Sequence, residues 1–252
     1  MRGHVEVLAS ADSLADAAAR RFVAAAEGAM ASRGEFIVAL AGGATPRLTY
    51  ARLAEPSIAS RVDWTRVQVL WGDERCVPPD DEASNYRMAR EALLDHVNVR
   101  ESNVHRIHGE EHPVAAASAY EAQLRSLLRT PQGAPRVEGG RRIDLVLLGL
   151  GADGHTASLF PGVAAGSARW VVAVRAPGAS LWRVTLTPPI INAAAAIVFI
   201  VSGDAKAEIV HRVLDSPQVP AVLPAQRIAP EGRVHWMLDE AAAARLRGVV
   251  TP

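Results

Sequence analysis

The sequence predicts an α/β protein with a mostly parallel central sheet and helices on both faces. Short apolar runs rich in β-formers recur along the chain, and each is followed by a Gly- or Asp-containing turn and an alanine-rich amphipathic stretch. Several runs, such as Asp144-Leu-Val-Leu-Leu-Gly149, are continuously apolar, as strands covered on both faces should be. A chain of 252 residues can bury a sizeable core, and we expect residues 1–252 to form a single domain.

The individual elements follow from apolar periodicity and turn residues. Thr45 before Pro46 predicts a helix N-cap, and Ser84 predicts a weaker one because Arg87, not an acid, stands at the third position. The Pro- and Gly-rich segment 130–142 is predicted to be a surface loop. We expect strands at 4–8, 35–41, 66–71, 143–148, 170–174, 183–186, 196–201 and 234–238, and helices at 13–32, 46–55, 84–95, 113–128, 205–214 and 240–247.

Charge and composition argue against several classes of function. The 27 basic residues balance 27 acidic ones, so the chain has no overall attraction for nucleic acid or for a membrane surface. Residues 1–11 lack the basic and then apolar order of a signal peptide, and no apolar run reaches the ~18 residues of a membrane span. The single cysteine cannot form an internal disulfide. We therefore expect a cytoplasmic protein with neither nucleic acid nor membrane as a partner.

A first candidate motif, Ala41-Gly-Gly-Ala-Thr-Pro46, lies between a predicted strand and a predicted helix. Gly42 and Gly43 let the backbone approach a ligand, and the helix start supplies unpaired N–H groups beside Ala44 and Thr45. No Gly-Lys-Ser/Thr follows, so the segment is not a P-loop. It outlines a phosphate cradle, although a tight turn without a ligand accounts for it equally well.

The second motif, Trp71-Gly-Asp-Glu-Arg-Cys-Val-Pro78, also follows a predicted strand. Open α/β sheets bind ligands outside the carboxyl ends of their strands, so Asp73 and Arg75 are placed for a polar substrate. A solvated charged turn is the alternative. Cys76 is expected to be a packed residue and not a nucleophile, because no histidine lies beside it in the sequence.

The third motif begins as G-x-G-x-x-G at residues 149–154. A dinucleotide fingerprint needs a long helix after its third glycine, and Pro161-Gly162 interrupts the chain too soon for one. What remains is Asp153 and His155 on a glycine-rich turn at the sheet edge. This pair is a candidate orienting acid and general base, although a His-Asp proximity is by itself often incidental.

Two further cations follow later strands. Arg183 lies in a predicted strand and Lys206 just after another, so both could reach one phosphate. Lys206 is the only lysine in a chain that otherwise uses arginine, which suggests a site where a compact ammonium fits and a wide guanidinium does not. A solvated charge, or chance retention of the lysine, is the alternative.

Two patterns are set aside. His108-Gly-Glu-Glu-His112, with His105 nearby, spells the H-x-x-E-H zinc motif, but Gly109 and Pro113 favour a turn over the helix which that motif requires. There is no G-x-S-x-G, so a serine-elbow hydrolase is not supported. We therefore expect neither a metal nor a cofactor.

Taken together, these motifs resemble the 6-phosphogluconolactonase family over essentially the whole chain. The residues that carry the resemblance are Gly42-Gly-Ala-Thr-Pro46, Trp71-Gly-Asp-Glu-Arg75 with Ser84-Asn85, Asp153-Gly-His-Thr-Ala-Ser-Leu-Phe-Pro161, Arg183-Val-Thr-Leu-Thr187 and Lys206-Ala207. The resemblance implies a modified Rossmann-like fold shared with glucosamine-6-phosphate deaminases and metal-free hydrolysis of a phosphosugar lactone.

The resemblance also implies individual roles. His155 would be the catalytic base, and Arg75, Arg183, Lys206 and the glycine-rich turn would surround the phosphosugar. In the family a hydroxyl residue usually stands where this chain has Ala44, so the phosphate would lose one side-chain donor there and keep the backbone N–H groups.

Two other functions remain open. A deaminase of glucosamine 6-phosphate would carry an Asn-Glu pair where this chain has Leu159 and Phe160. This chain therefore lacks the glutamate that assists ring opening in such deaminases. A non-enzymatic sugar-phosphate sensor would usually carry an added DNA-binding module, for which 252 residues of neutral charge leave no room.

Overall fold

The computed structural model describes residues 3–129, 141–163, 168–217, 219, 222–228, 230 and 233–247. Residues 130–140, the greater part of the predicted surface loop, lie outside the described residues. The strands are β1 (His4–Leu8), β2 (Phe36–Leu40), β3 (Val67–Trp71), β4 (Asp73–Arg75), β5 (Leu145–Leu148), β6 (Val171–Arg175), β7 (Trp182–Leu186), β8 (Ala196–Val201) and β9 (Val234–Asp239). The helices are α1 (Ala11–Arg33), α2 (Ala44–Leu53), α3 (Pro56–Ala59), α4 (Asn85–Ala92), α5 (Pro113–Leu127), α6 (Pro188–Asn192), α7 (Ala207–Leu214) and α8 (Glu240–Ala243).

The larger sheet has six parallel strands in the order β1-β9-β8-β5-β2-β3. All residues of β2 and β5 are buried, and so are all but the first of β8. Strands buried along their whole length must be covered on both faces, which is why they are continuously apolar. The predicted fold class is confirmed.

The smaller sheet is antiparallel, in the order β4-β7-β6. It joins the larger sheet through Gly72, whose carbonyl accepts a hydrogen bond from the Leu186 amide at 2.8 Å. Helix α5 packs on β6 and β7, and the hydroxyl of its Tyr120 donates to the Trp71 carbonyl at 3.0 Å. These contacts fix the small sheet beside the end of β3.

Two local predictions need correction, and one strand was missed. Helix α2 begins at Ala44 with Gly43 as its N-cap, not Thr45, because Gly43 adopts φ +107°, and the Thr45 hydroxyl pairs with Ser202 instead. Strand β4 was not predicted. The predicted helix 240–247 ends at Ala243, where a tight turn closes. The Ser84 cap does form, since its hydroxyl accepts the Arg87 amide at 3.1 Å.

The chain leaves β2 toward β3 on one side, and later leaves β5 toward β8 on the other side. A crevice opens beyond the carboxyl ends of parallel strands where connections diverge in this way, and it is the usual ligand site of such sheets. The first three candidate motifs and the Lys206 segment follow β2, β3, β5 and β8, so they meet there. Of the helices within the described ranges, none is long and apolar enough to cross a membrane.

Candidate active site

A cavity of about 500 Å³ occupies this crevice. Its walls come from the ends of β2, β3, β5 and β8 and from the face of the small sheet. All of the predicted site residues except Asp153 line it; they are Gly42, Gly43, Ala44, Thr45, Asp73, Arg75, His155, Arg183 and Lys206. The structure thus brings the predicted residues together, and their roles stay predictions.

The imidazole of His155 is held by Asp153. Its Nδ1 lies 2.5 Å from Asp153 Oδ1, and the same oxygen accepts the His155 backbone amide at 3.1 Å. Partial burial alone would raise the pKa of Asp153, but these two hydrogen bonds outweigh it and lower the pKa below its ordinary value. An ionised carboxylate only accepts hydrogen bonds, so a neutral imidazole paired with it carries its proton on Nδ1 and its lone pair on Nε2.

Gly151 makes room for this pair. A Cβ at Gly151 would overlap the imidazole at Nδ1 and Cε1 and would stand 2.7 Å from Asp153 Oδ1. The turn is closed by hydrogen bonds from the Gly151 amide to the His155 carbonyl at 2.8 Å and from the Gly154 amide to the Gly151 carbonyl at 3.0 Å. The histidine therefore lies directly against the backbone of its own turn.

The small sheet presents its charges in register. Arg75 on β4 is directly opposite Arg183 on β7, and Asp73 is opposite Thr185. Because side chains two apart in a strand share a face, these four residues face the same way. Like charges directly opposite in a sheet repel, and only an anion between them would turn that repulsion into attraction.

Arg183 has fewer hydrogen-bond partners for its guanidinium than Arg75 has. Burial lowers the pKa of its guanidinium, Arg75 lowers it further, and Asp73 opposes both effects. Within the described part of the chain, the buried Nε atoms of Arg183 and Arg75 have no hydrogen-bond partner. Arg75 still donates through Nη1 to the Ala83 carbonyl at 2.6 Å.

Asp73 belongs to a buried network. Its Oδ2 accepts the hydroxyl of the fully buried Ser158 at 2.6 Å and lies 4.0 Å from Nη1 of Arg183. The Ser158 amide in turn donates to the Thr185 hydroxyl at 3.1 Å. This chain of contacts connects the turn that carries His155 to the sheet that carries Arg183.

Glu74, which the sequence analysis did not single out as a site residue, points to the other side of β4. Its carboxylate accepts backbone amides of Arg75, Asn85 and Tyr86 at 2.7 to 2.8 Å and the Ser84 hydroxyl at 3.1 Å. Burial raises its pKa despite these bonds. Glu74 thereby ties β4 to the start of α4.

The glycine-rich segment after β2 packs against the side chain of Asn85, the first residue of α4. A Cβ at Gly42 would overlap Oδ1 of the buried Asn85, whose Nδ2 donates to the Asp73 carbonyl at 2.9 Å. The Thr45 hydroxyl lies 2.9 Å from the hydroxyl of Ser202, which also lines the cavity. Asn85 and Ser202 are residues that the sequence analysis did not assign to the site, because only the fold brings them to it.

Lys206 closes a tight turn after β8 and precedes α7. The turn is fixed by Asp239 at the end of β9, whose two carboxylate oxygens each lie 3.0 Å from the Gly203 amide. Among the described residues, Lys206 makes no side-chain hydrogen bond or ion pair. The cavity is thus lined by three cations, Arg75, Arg183 and Lys206, and by a histidine that Asp153 holds.

The patterns that were set aside are also resolved. Residues 108–112 form a turn before α5, as predicted, and no group of three or more His, Cys, Asp or Glu in the described ranges could hold a metal ion. No helix follows Gly154 in the described part of the segment up to residue 163, so the turn is not a dinucleotide fingerprint. Cys76 is half-buried, and burial and then Glu74 raise its pKa to about 11, which is contrary to what a nucleophile needs.

Comparison with known proteins agrees with this geometry. The family model for glucosamine-6-phosphate isomerases/6-phosphogluconolactonase matches residues 9–236. The chain belongs to this family. Its similarity to the 6-phosphogluconolactonase family, expected from the motifs, is confirmed.

Several members of the isomerase/6-phosphogluconolactonase family match over nearly their full length. A 6-phosphogluconolactonase of Nostoc sp. is 34% identical over 247 residues, which cover 98% of this chain and 99% of that protein. One of Synechocystis sp. is 38% identical over 224 residues, 87% of this chain and 88% of that protein. The structure of 6-phosphogluconolactonase from Trypanosoma brucei superposes with a TM-score of 0.82 at 32% identity, covering 97% of this chain and 99% of that one.

The family fold extends to a different activity. A monomeric glucosamine-6-phosphate deaminase superposes with a TM-score of 0.80 over 96% of this chain and all of its own, at 21% identity. At that identity the likeness concerns the fold alone, so the site residues must decide between activities.

Proposed function

We propose that this protein hydrolyses 6-phospho-D-glucono-1,5-lactone to 6-phospho-D-gluconate in the oxidative pentose phosphate pathway. One observation carries the proposal: His155, which Asp153 holds, lines the same cavity as Arg183 and Lys206, and among the described residues the side chain of Arg183 makes no hydrogen bond and that of Lys206 neither a hydrogen bond nor an ion pair. These residues fit a substrate that carries a neutral electrophilic carbon at one end and a phosphate dianion at the other. The relatives that match over nearly the whole chain are named 6-phosphogluconolactonases.

In the proposed mechanism, His155 acts first as a general base. Its Nε2 removes a proton from a water molecule as the water oxygen bonds to the lactone carbonyl carbon. Asp153 keeps Nδ1–H in place and stabilises the imidazolium that forms. The bond to the ring oxygen then breaks, and the imidazolium returns the proton to that oxygen, which leaves a hydroxyl and a carboxylic acid that ionises in water.

The cations hold the other end of the substrate. Arg75, Arg183 and Lys206 would bind the phosphate, together with backbone amides at the start of α2, and the short side chain of Ala44 leaves those amides open. Ser202 also lines the cavity, and its hydroxyl beside that of Thr45 would be a further side-chain donor to the phosphate. Asp73 lies among these residues as a hydrogen-bond acceptor, suited to a sugar hydroxyl and not to the phosphate.

The alternative, a glucosamine-6-phosphate deaminase, is disfavoured by Phe160. Its phenyl ring lies 5.0 Å from the His155 ring, so a hydrocarbon stands beside the histidine where the deaminase motif would place a carboxylate. Assaying both reactions in parallel tests the proposal. Lactone loss above the spontaneous rate, with no ammonia released from glucosamine 6-phosphate, is the expected result. Ammonia release without lactone hydrolysis would reverse the assignment.

We propose further that residues 1–252 work as one domain in the cytoplasm, on a small phosphosugar lactone and without nucleic acid or a membrane as partner. The single cysteine excludes dependence on an internal disulfide, and the balanced charge gives no general attraction to polyanions.

A further inference from the structure

We infer that Phe160 is a positioning residue that holds the catalytic base and the phosphate-binding guanidinium in one arrangement. The inference rests on the proposed function and adds to it a residue that is not part of the cavity wall. The two groups that it touches, His155 and Arg183, come from different parts of the fold: a turn after β5 and a strand of the small sheet.

The geometry places one phenyl ring against both groups. The ring centroid of Phe160 lies 5.0 Å from that of His155 at an interplanar angle of 50°. The guanidinium carbon of Arg183 lies 5.6 Å from the same centroid, within the range of a cation–π contact. Phe160 is buried, so its ring is held by packing and does not move freely.

His155 has one degree of freedom that Asp153 does not remove. A single hydrogen bond at Nδ1 leaves the imidazole free to rock about that bond, and Nε2, on the far side of the ring, moves most. The backbone of Gly151 limits this motion at Nδ1 and Cε1. The phenyl ring of Phe160 supplies a further contact, so its loss lets Nε2 drift from the position from which it reaches the water.

Arg183 depends on the ring even more. Among the described residues its guanidinium makes no hydrogen bond; Asp73 is at 4.0 Å, and the Nε atom is buried without a partner. Across the sheet stands Arg75, which repels it. The aromatic face is therefore a main attraction that keeps this guanidinium in place before the phosphate arrives.

These two contacts predict an unusual kinetic signature for Phe160→Leu. Because Arg183 loses its cation–π contact, KM for the phosphorylated lactone should rise by about 3- to 30-fold. KM for unphosphorylated glucono-δ-lactone should not change. Since the base is loosened whatever the substrate, kcat should fall by the same factor, about tenfold, for both lactones. Phe160→Tyr keeps the ring and should restore both constants most of the way.

Phe22→Leu is the matched control. Phe22 is a buried phenylalanine that packs on Phe36 and Trp64, away from the cavity, and the same truncation there should lower Tm while leaving all four constants unchanged. Should Phe160→Leu fail to fold, Phe160→Met, which keeps more of the volume without a ring, takes its place.

Each outcome decides one question. If wild-type protein does not hydrolyse the lactone, the proposed function fails. If wild type is active and the Phe160 variant changes only Tm, or raises KM equally for both lactones, the inference alone is wrong. The expected split, with KM raised only for the phosphorylated lactone and kcat lowered for both, supports the coupling of base and phosphate site through one ring.

Discussion

Replacing Gly151 with alanine would displace His155, the proposed catalytic base, by adding one methyl group. The backbone of Gly151 lies outside the left-handed region, so an alanine there is not strained in itself. Its Cβ, however, would overlap the imidazole of His155 and stand 2.7 Å from Asp153 Oδ1. The methyl group cannot move because it is fixed to the backbone, so the side chains of the pair must move.

The size of the effect follows from this overlap. To reach ordinary van der Waals contact the ring must shift by about 1 Å or more, and a misplacement of ~1 Å in a catalytic group can lower the rate by ~10²-fold. We expect kcat of Gly151→Ala to fall by about that factor. KM should change little, because the methyl group is directed at the imidazole and not at the residues that we propose hold the phosphate.

Initial rates of lactone hydrolysis measure this, after subtraction of the spontaneous reaction. Gly28→Ala in α1 is the control, since a Cβ there would meet nothing within 4 Å and the chemical change is the same. Its kcat should equal that of wild type. Equal Tm values for Gly151→Ala and wild type would show that the loss is local to the pair.

A double-mutant cycle tests whether Gly151→Ala acts through His155. If alanine at 151 acts only by moving the imidazole, it should have no further effect once His155 is itself alanine. Gly151→Ala combined with His155→Ala should therefore match His155→Ala alone. An additional ~10²-fold loss in the double variant would mean that Gly151 serves some other purpose, and the reasoning from the overlap would be wrong.

Three further outcomes are expected. His155→Ala should lower kcat by ~10²–10⁴-fold with little change in KM, and a near wild-type kcat would remove the base assignment. A general base must be unprotonated to act, so kcat should fall in acid; hydrogen bonds from His155 lower the pKa of Asp153, so protonation of that carboxylate is not the first cause of the fall, and a rate that does not fall in acid would contradict the mechanism. Lys206→Ala should raise KM for the phosphorylated lactone and leave KM for unphosphorylated glucono-δ-lactone unchanged. Lys206→Arg should also raise KM for the phosphorylated lactone, because a planar guanidinium does not replace a compact ammonium beside Arg183. A wild-type KM in the arginine variant would make the lone lysine an accident of composition.

The parallel strands could be predicted from the sequence because each leaves a local record. A run such as Ala196–Val201 is apolar along its whole length, and the turn after it carries polar residues and glycine. Parallel strands end at the same edge, so motifs that follow different strands are expected to meet. That argument alone places the glycine-rich segment, Arg75, His155 and Lys206 in one crevice.

Strand β4 could not be predicted in the same way. Asp73–Arg75 is short and wholly charged, and it becomes a strand because β7 pairs with it from more than a hundred residues later in the chain. The same long-range register puts Arg75 opposite Arg183. Side chains such as Ser158 and Asn85 enter the site through contacts of this kind, which no local pattern records.

The position of β9 has a consequence for how the molecule is made. This strand lies between β1 and β8, and among the described strands β1 pairs with no other. Until the ribosome has added residues 234–239, β1 and the outer edge of β8 both lack their pairing strand. Exposed apolar strand edges are sites of aggregation. The turn that bears Lys206 is also not fixed until then, because its Gly203 amide donates to the Asp239 carboxylate. Folding during synthesis can assemble the middle of the sheet early, but the turn that carries Lys206 is fixed only after Asp239 has left the exit tunnel.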